Sequence, residues 1–116
     1  MQTLTVRSIK TQTHPQTKAL FWYLFVGSRG GPARVKIISR LRDIPSNTHQ
    51  LSQDLGLEYK GIQHHLRILE KNNIITKFGG NYGATYTVSI FFEESESMFN
   101  EIVERLQKES DDEWSR

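Results

Sequence analysis

The chain has 116 residues and no cysteine, enough for one domain around a single core; a two-domain enzyme, a disulfide framework and a thiolate metal site are not expected. Its longest apolar run, Ala19–Val26, is eight residues long, far below the ~20 that span a bilayer, and the polar first 16 residues lack the apolar heart of a signal peptide. The formal charge of +2 conceals an asymmetry: residues 29–77 hold nine Lys or Arg against four acids, a net of +5, whereas residues 93–116 hold nine acids against three bases, a net of −6. A polyanion is therefore expected to meet the middle of the chain, and the cytoplasm is the expected compartment.

Residues 1–14 alternate weakly at Leu4 and Val6 and read equally as a strand, an arm or disorder. After Pro15, residues 17–26 read as a helix that is apolar nearly all round. GSRGGP at 27–32 breaks it, and Pro32 suits the first turn of a second helix over 33–41. There Val35, Ile38 and Leu41, with Ile37, form the inward stripe, and Arg34, Lys36, Arg40 and Arg42 are expected to point outward.

Residues 50–69 carry the strongest signal. Leu51 and Leu55 sit four apart, Gly56 interrupts, Leu57 closes the turn, and Ile62, Leu66 and Leu69 resume helical spacing. Two short helices joined by a glycine turn share one small core, the unit that inserts a helix into a DNA groove. Asn47 with Gln50 has the form of a capping box and marks a helix start near Thr48. Gly56 suits the left-handed conformation that ends that helix. Asn72 and Asn73 are expected to stop the next one.

Two β-branched and aromatic runs, 74–78 and 84–90, flank GGNYG at 79–83 and predict a hairpin. Met98, Phe99, Ile102, Val103 and Leu106 then form the apolar stripe of a last amphipathic helix, with fraying expected over 110–116. The fold expected is mainly α with a small β-hairpin (α+β): a winged helix–turn–helix with flanking N- and C-terminal dimerisation helices. Its boundaries are an arm or strand at 1–14, the winged domain with the first hydrophobic helix at 15–92, the C-terminal helix at 93–110 and an acidic tail at 111–116.

On PARVKIISRLRD (32–43), NTHQLSQDLGLEYKGIQHHLRILEKNNII (47–75) and TYTVS (85–89), the sequence resembles archaeal winged helix–turn–helix regulators of the ArsR-like class. The resemblance implies that the helix over 58–69 reads the major groove, that the hairpin lies on the DNA backbone, and that terminal helices form a homodimer. With Ile62, Leu66 and Leu69 turned inward, Tyr59, Lys60, Gln63, His64 and Arg67 are left on the outer surface. Gln63 can pair bidentately with adenine, Lys60 can reach guanine, and Arg67 suits a phosphate. Lys77, Asn81, Tyr82 and Thr85 in the wing, and Arg34 with Arg29 near the second helix's start, are further candidate DNA contacts. Phe21, Trp22, Phe25, Met98, Phe99, Ile102 and Leu106 are the candidate dimer interface, because two flanking helices offer more apolar surface than a small core covers.

The class's metal sensors use cysteines or ligands on the last helix. This chain has no cysteine and no histidine after His65, and neighbours such as His64 and His65 are splayed by about 100° on a helix. No metal and no cofactor is expected. His64 is expected to face DNA, with His65 at the core edge, hydrogen-bonded through one ring nitrogen; protonation of either would strengthen DNA binding as pH falls. No phosphate loop or nucleophile–base pattern suggests an enzyme. The functional expectation is a sequence-specific, homodimeric transcriptional regulator that represses by occlusion. The alternative is a winged helix that binds proteins in a transcription or chromatin complex without specific DNA binding. Nothing in the sequence names an effector.

Overall fold

The computed structural model describes residues 15–80 and 83–114. The arm or strand at 1–14 and the wing candidates Asn81 and Tyr82 lie outside the described residues.

Among the described residues, six helices and three strands follow in the order α1 (Pro15–Phe25), α2 (Gly31–Asp43), β1 (Ser46–Asn47), α3 (Thr48–Leu55), α4 (Tyr59–Lys71), β2 (Ile75–Phe78), β3 (Thr85–Val88), α5 (Ile90–Glu94) and α6 (Glu96–Trp114). The antiparallel sheet has the order β1-β3-β2, with Ser46 opposite Tyr86 and Ile75 opposite Val88. This is the winged helix–turn–helix architecture expected.

The core is continuous across all the helices. Phe21, Leu24 and Phe25 from α1, Ile37, Ile38 and Leu41 from α2, Leu51 from α3, Ile62, Leu66 and Leu69 from α4, Ile75 from β2, Phe92 from α5 and Phe99 from α6 are buried together with Ile74. Phe21 stacks on Phe92 with ring centroids 6.0 Å apart, and Phe99 meets Phe25 and Phe92 edge-on at 5.0 and 5.3 Å. Offset-stacked and edge-to-face arrangements are those the ring quadrupole favours. These contacts correct the expected dimer surface: Phe21, Phe25 and Phe99 are at most 1% exposed within one chain, filling its own core. Trp22 stays exposed, whereas Met98, Ile102 and Leu106 are half-buried.

Three other expectations change. The second hairpin run does not continue to Ile90: Ser89 turns the chain, its hydroxyl accepting from Phe92 N–H at 3.0 Å and donating to Asn73 O at 2.6 Å, and so caps α5. Phe92 is thereby swung into the core, leaving Ile90 exposed. The two-residue β1 gives no period to read, and it is the pairing of Asn47 with Thr85 that reveals it. The last helix runs unbroken to Trp114, past the fraying expected from 110.

Gly31 explains the glycine-rich break. A Cβ there would lie 2.5 Å from Phe25 O, so only glycine lets α2 start directly against the end of α1.

Candidate nucleic-acid interface

The helix–turn–helix is set by its caps. Asn47 and Gln50 exchange two hydrogen bonds of 2.8 Å, satisfying orphan N–H groups at the start of α3. Gly56 ends α3 at φ 65°, in the left-handed region. At the far end of α4, Asn73 adopts φ 61°. Its N–H donates to Glu70 O at 3.0 Å and that of Ile74 to Leu69 O at 2.9 Å. That is a Schellman closure, with Leu69 and Ile74 both buried beneath it. The ends of α3 and the C-terminal end of α4 are thus set by residues within their own sequence neighbourhood.

With Ile62, Leu66 and Leu69 buried, α4 turns Tyr59, Lys60, His64 and Arg67 to solvent and holds Gln63 half-exposed. Lys77 is exposed on β2. Between α4 and the wing lies an open polar groove of about 350 Å³, lined by Asn47, Thr48, His49, Tyr59, Gln63, Lys77 and Tyr86, with Gly80, Gly83 and Ala84 at the wing. The groove gathers three of the sequence-predicted residues, Tyr59, Gln63 and Lys77. It also adds Thr48, His49 and Tyr86, which the sequence reading missed. Their signal is the β1–β3 pairing, which brings the first turn of α3 beside the wing.

The basic face of α2 is not what its charge suggested. Arg34 is 3% exposed and does not face solvent, so it is corrected as a phosphate contact. Its Nε donates to Leu24 O at 2.7 Å, Nη1 to His65 Nδ1 at 3.1 Å, and Nη2 to Ser28 Oγ. Burial lowers its pKa, opposed by the charge of Tyr23. Arg40 bonds Asp54 on α3 at 3.0 Å. Arg42 bonds Glu96 and Asn100 on α6 and lies 5.1 Å from the Phe99 ring centre. Three arginines counted toward the basic middle therefore join helices. Lys77 lines the groove, and Lys60, Arg67 and Lys71 on α4, Lys36 on α2 and Arg29 in the turn before it are exposed.

His64 is exposed, and His65 is half-buried against Arg34, the core-edge place expected of it. Their rings are 5.5 Å apart at 59°. Burial first, then Arg34 and His64, lower the pKa of His65. Among the described residues, no group of three or more His, Asp or Glu is placed to hold a metal ion. Nor is any described helix long and apolar enough to cross a membrane.

This arrangement of a capped helix beside a polar groove and a two-stranded wing has counterparts among known proteins. Residues 31–77 match the family model described as bacterial regulatory protein, arsR family. The matched stretch begins at the start of α2 and ends within the wing's first strand, so it contains the whole helix–turn–helix. Among solved structures, the reduced form of HlyU from Vibrio cholerae is similar with a TM-score of 0.57 and 22% identity, over 78% of this chain and 90% of that one. An ArsR-like transcriptional regulator from Rhodococcus sp. gives 0.55 and 15%, over 86% and 89%. The reduced form of the transcriptional regulator YodB from Bacillus subtilis gives 0.57 and 16%, over 78% and 88%. At such identities the likeness is one of fold. No curated protein is a significant match to the sequence.

Proposed function

We propose that this protein is a sequence-specific, DNA-binding transcriptional regulator of the cytoplasm that acts as a homodimer and represses by covering the promoter it binds. It acts without enzymatic chemistry or a metal cofactor. The observation that carries the proposal is the surface of α4, where Lys60, His64 and Arg67 are exposed and Gln63 lines the polar groove together with Lys77. In this reading α4 lies in the major groove, where Gln63 and Lys60 meet base edges and Arg67 a phosphate, while the backbone of one strand passes between α4 and the wing. The arsR-family match over the same residues supports it, as do the transcriptional regulators among the similar folds. The archaeal character of the resemblance in residues 32–43, 47–75 and 85–89 belongs to the proposal as well.

Homodimerisation is supported by α1 and α6. Trp22 and Tyr23 are 52% and 58% exposed, and a cleft of about 90 Å³ between the helices is lined by Lys18, Trp22, Met98, Ile102 and Arg105. A second copy packed there would set two recognition helices on half-sites about one helical turn apart. Footprinting on genomic fragments tests the reading: two symmetric protected half-sites one turn apart are expected. Uniform protection of all fragments, or none, would leave the protein-binding alternative in its place.

A further inference from the structure

The four residues Leu24, Ser28, Arg34 and His65 form one connected polar group at the junction of α1, α2 and α4. Its first role is to close α1. Trp22 O accepts from the N–H groups of Val26 and Gly27, Tyr23 O from the Ser28 hydroxyl, and Leu24 O from Arg34 Nε. The buried guanidinium thus sits on the negative end of α1, where a cation is favoured. Its remaining donors reach Ser28 Oγ and His65.

The last of these contacts restricts His65. An arginine side chain has donors only, so His65 Nδ1 must accept; the ring is neutral, with its proton on Nε2. The space is closed around the pair. A Cβ on Gly30 would lie 2.6 Å from both Arg34 Nη1 and His65 Cε1. The groups acting on the charge of His65 are Arg34 from α2 and His64 from its own helix, and both oppose protonation. One residue along, His64 is on the exposed face proposed to meet DNA.

We propose that Arg34 and His65 are positioning residues, that their hydrogen bond fixes the orientation of α4 on the α1–α2 frame, and that protonation of His65 releases it and lowers affinity for DNA. The apolar contacts of Ile62, Leu66 and Leu69 hold α4 against the core but are not directional, whereas the hydrogen bond is. Protonation would turn both partners into donors and place two cations face to face. The contribution of the pair is complete above the ordinary histidine value of about 6.5 and is lost as pH falls through the lowered value of His65. This reverses the sign first expected for His65. The inference rests on the proposed DNA-binding function, of which it names a regulation.

The test compares wild type with His65→Gln, whose amide oxygen can accept from Arg34 but does not titrate, on a footprinted genomic fragment between pH 8 and 5.5. Every other side chain is common to both proteins, so the affinity ratio isolates His65. The ratio of variant to wild-type affinity is expected to rise about two- to tenfold on acidification, the worth of one hydrogen bond of ordinary strength. Imidazole nitrogen NMR of the free wild-type protein needs no variant and no DNA: it should report the Nε2–H form of His65 and a pKa below the ordinary histidine value. An Nδ1–H ring, or a ratio independent of pH while both proteins bind DNA, overturns the inference and leaves the DNA-binding reading standing. No binding at any pH overturns that reading and the regulation with it, while the NMR still judges the pairing itself.

Discussion

Arg34 shows how much a single position decides. Counted by charge it belongs to the basic surface; counted by spacing it falls at i with Ile37, Ile38 and Leu41 at i+3, i+4 and i+7, the buried stripe of α2. Spacing wins, because a helix has no means of turning one residue of its inner face outward. The same arithmetic separates Phe21, Leu24 and Phe25, which are buried, from Trp22 and Tyr23, which are exposed. Local chemistry is more directly legible: the reciprocal bonds of Asn47 and Gln50 are both present as the sequence predicts. Asn47→Ala removes the side-chain acceptor and is expected to lower unfolding free energy by about 1 kcal/mol. Chemical denaturation reads this as a shift in midpoint, and an unchanged midpoint would mean that the cap does not contribute.

At the scale of elements, sequence period and end signals located α1, α2, α3, α4 and the two wing strands, because each has an amphipathic stripe or a turn residue that acts within a few positions. Two elements escaped it. The strand β1 is two residues long and exists only through its bonds to β3, a contact nearly forty residues distant in sequence. The helix α5 is a single capped turn that interrupts what reads as a continuing β-branched and aromatic run; Ser89, a cap residue in the middle of that run, was its signal. Both omissions bear on the candidate site. Pairing of β1 with β3 carries Thr48 and His49 to the wing and completes the polar groove. The turn at Ser89 directs α6 back across α1, where Phe99 closes the core.

For the whole molecule, the distribution of charge and apolar surface is what connects fold to function. The arginines of α2 are largely occupied in joining helices, through Leu24, Asp54, Glu96 and Asn100. The proposed electrostatic attraction for DNA is therefore concentrated on α4 and the wing. On α1 and α6, exposed Trp22 and half-buried Met98 and Ile102 line one cleft. Trp22→Glu combined with Ile102→Glu should place charges in a symmetric interface and give a folded monomer by sedimentation, with helical content retained by circular dichroism and weaker DNA binding. A double variant that sediments as the wild type does would remove these helices from the interface.

The most direct test of the central claim is fluorescence anisotropy of promoter and unrelated DNA fragments across a range of salt concentrations, for wild type, Lys60→Ala/Gln63→Ala and Lys77→Ala. If α4 reads base edges, the double variant should lose about 1–3 kcal/mol of selectivity for each base contact removed. Lys77→Ala should weaken all fragments alike and reduce the salt slope by about one. Affinity identical for every fragment and for the double variant, or absent at low salt, would contradict the assignment of α4 as the recognition helix.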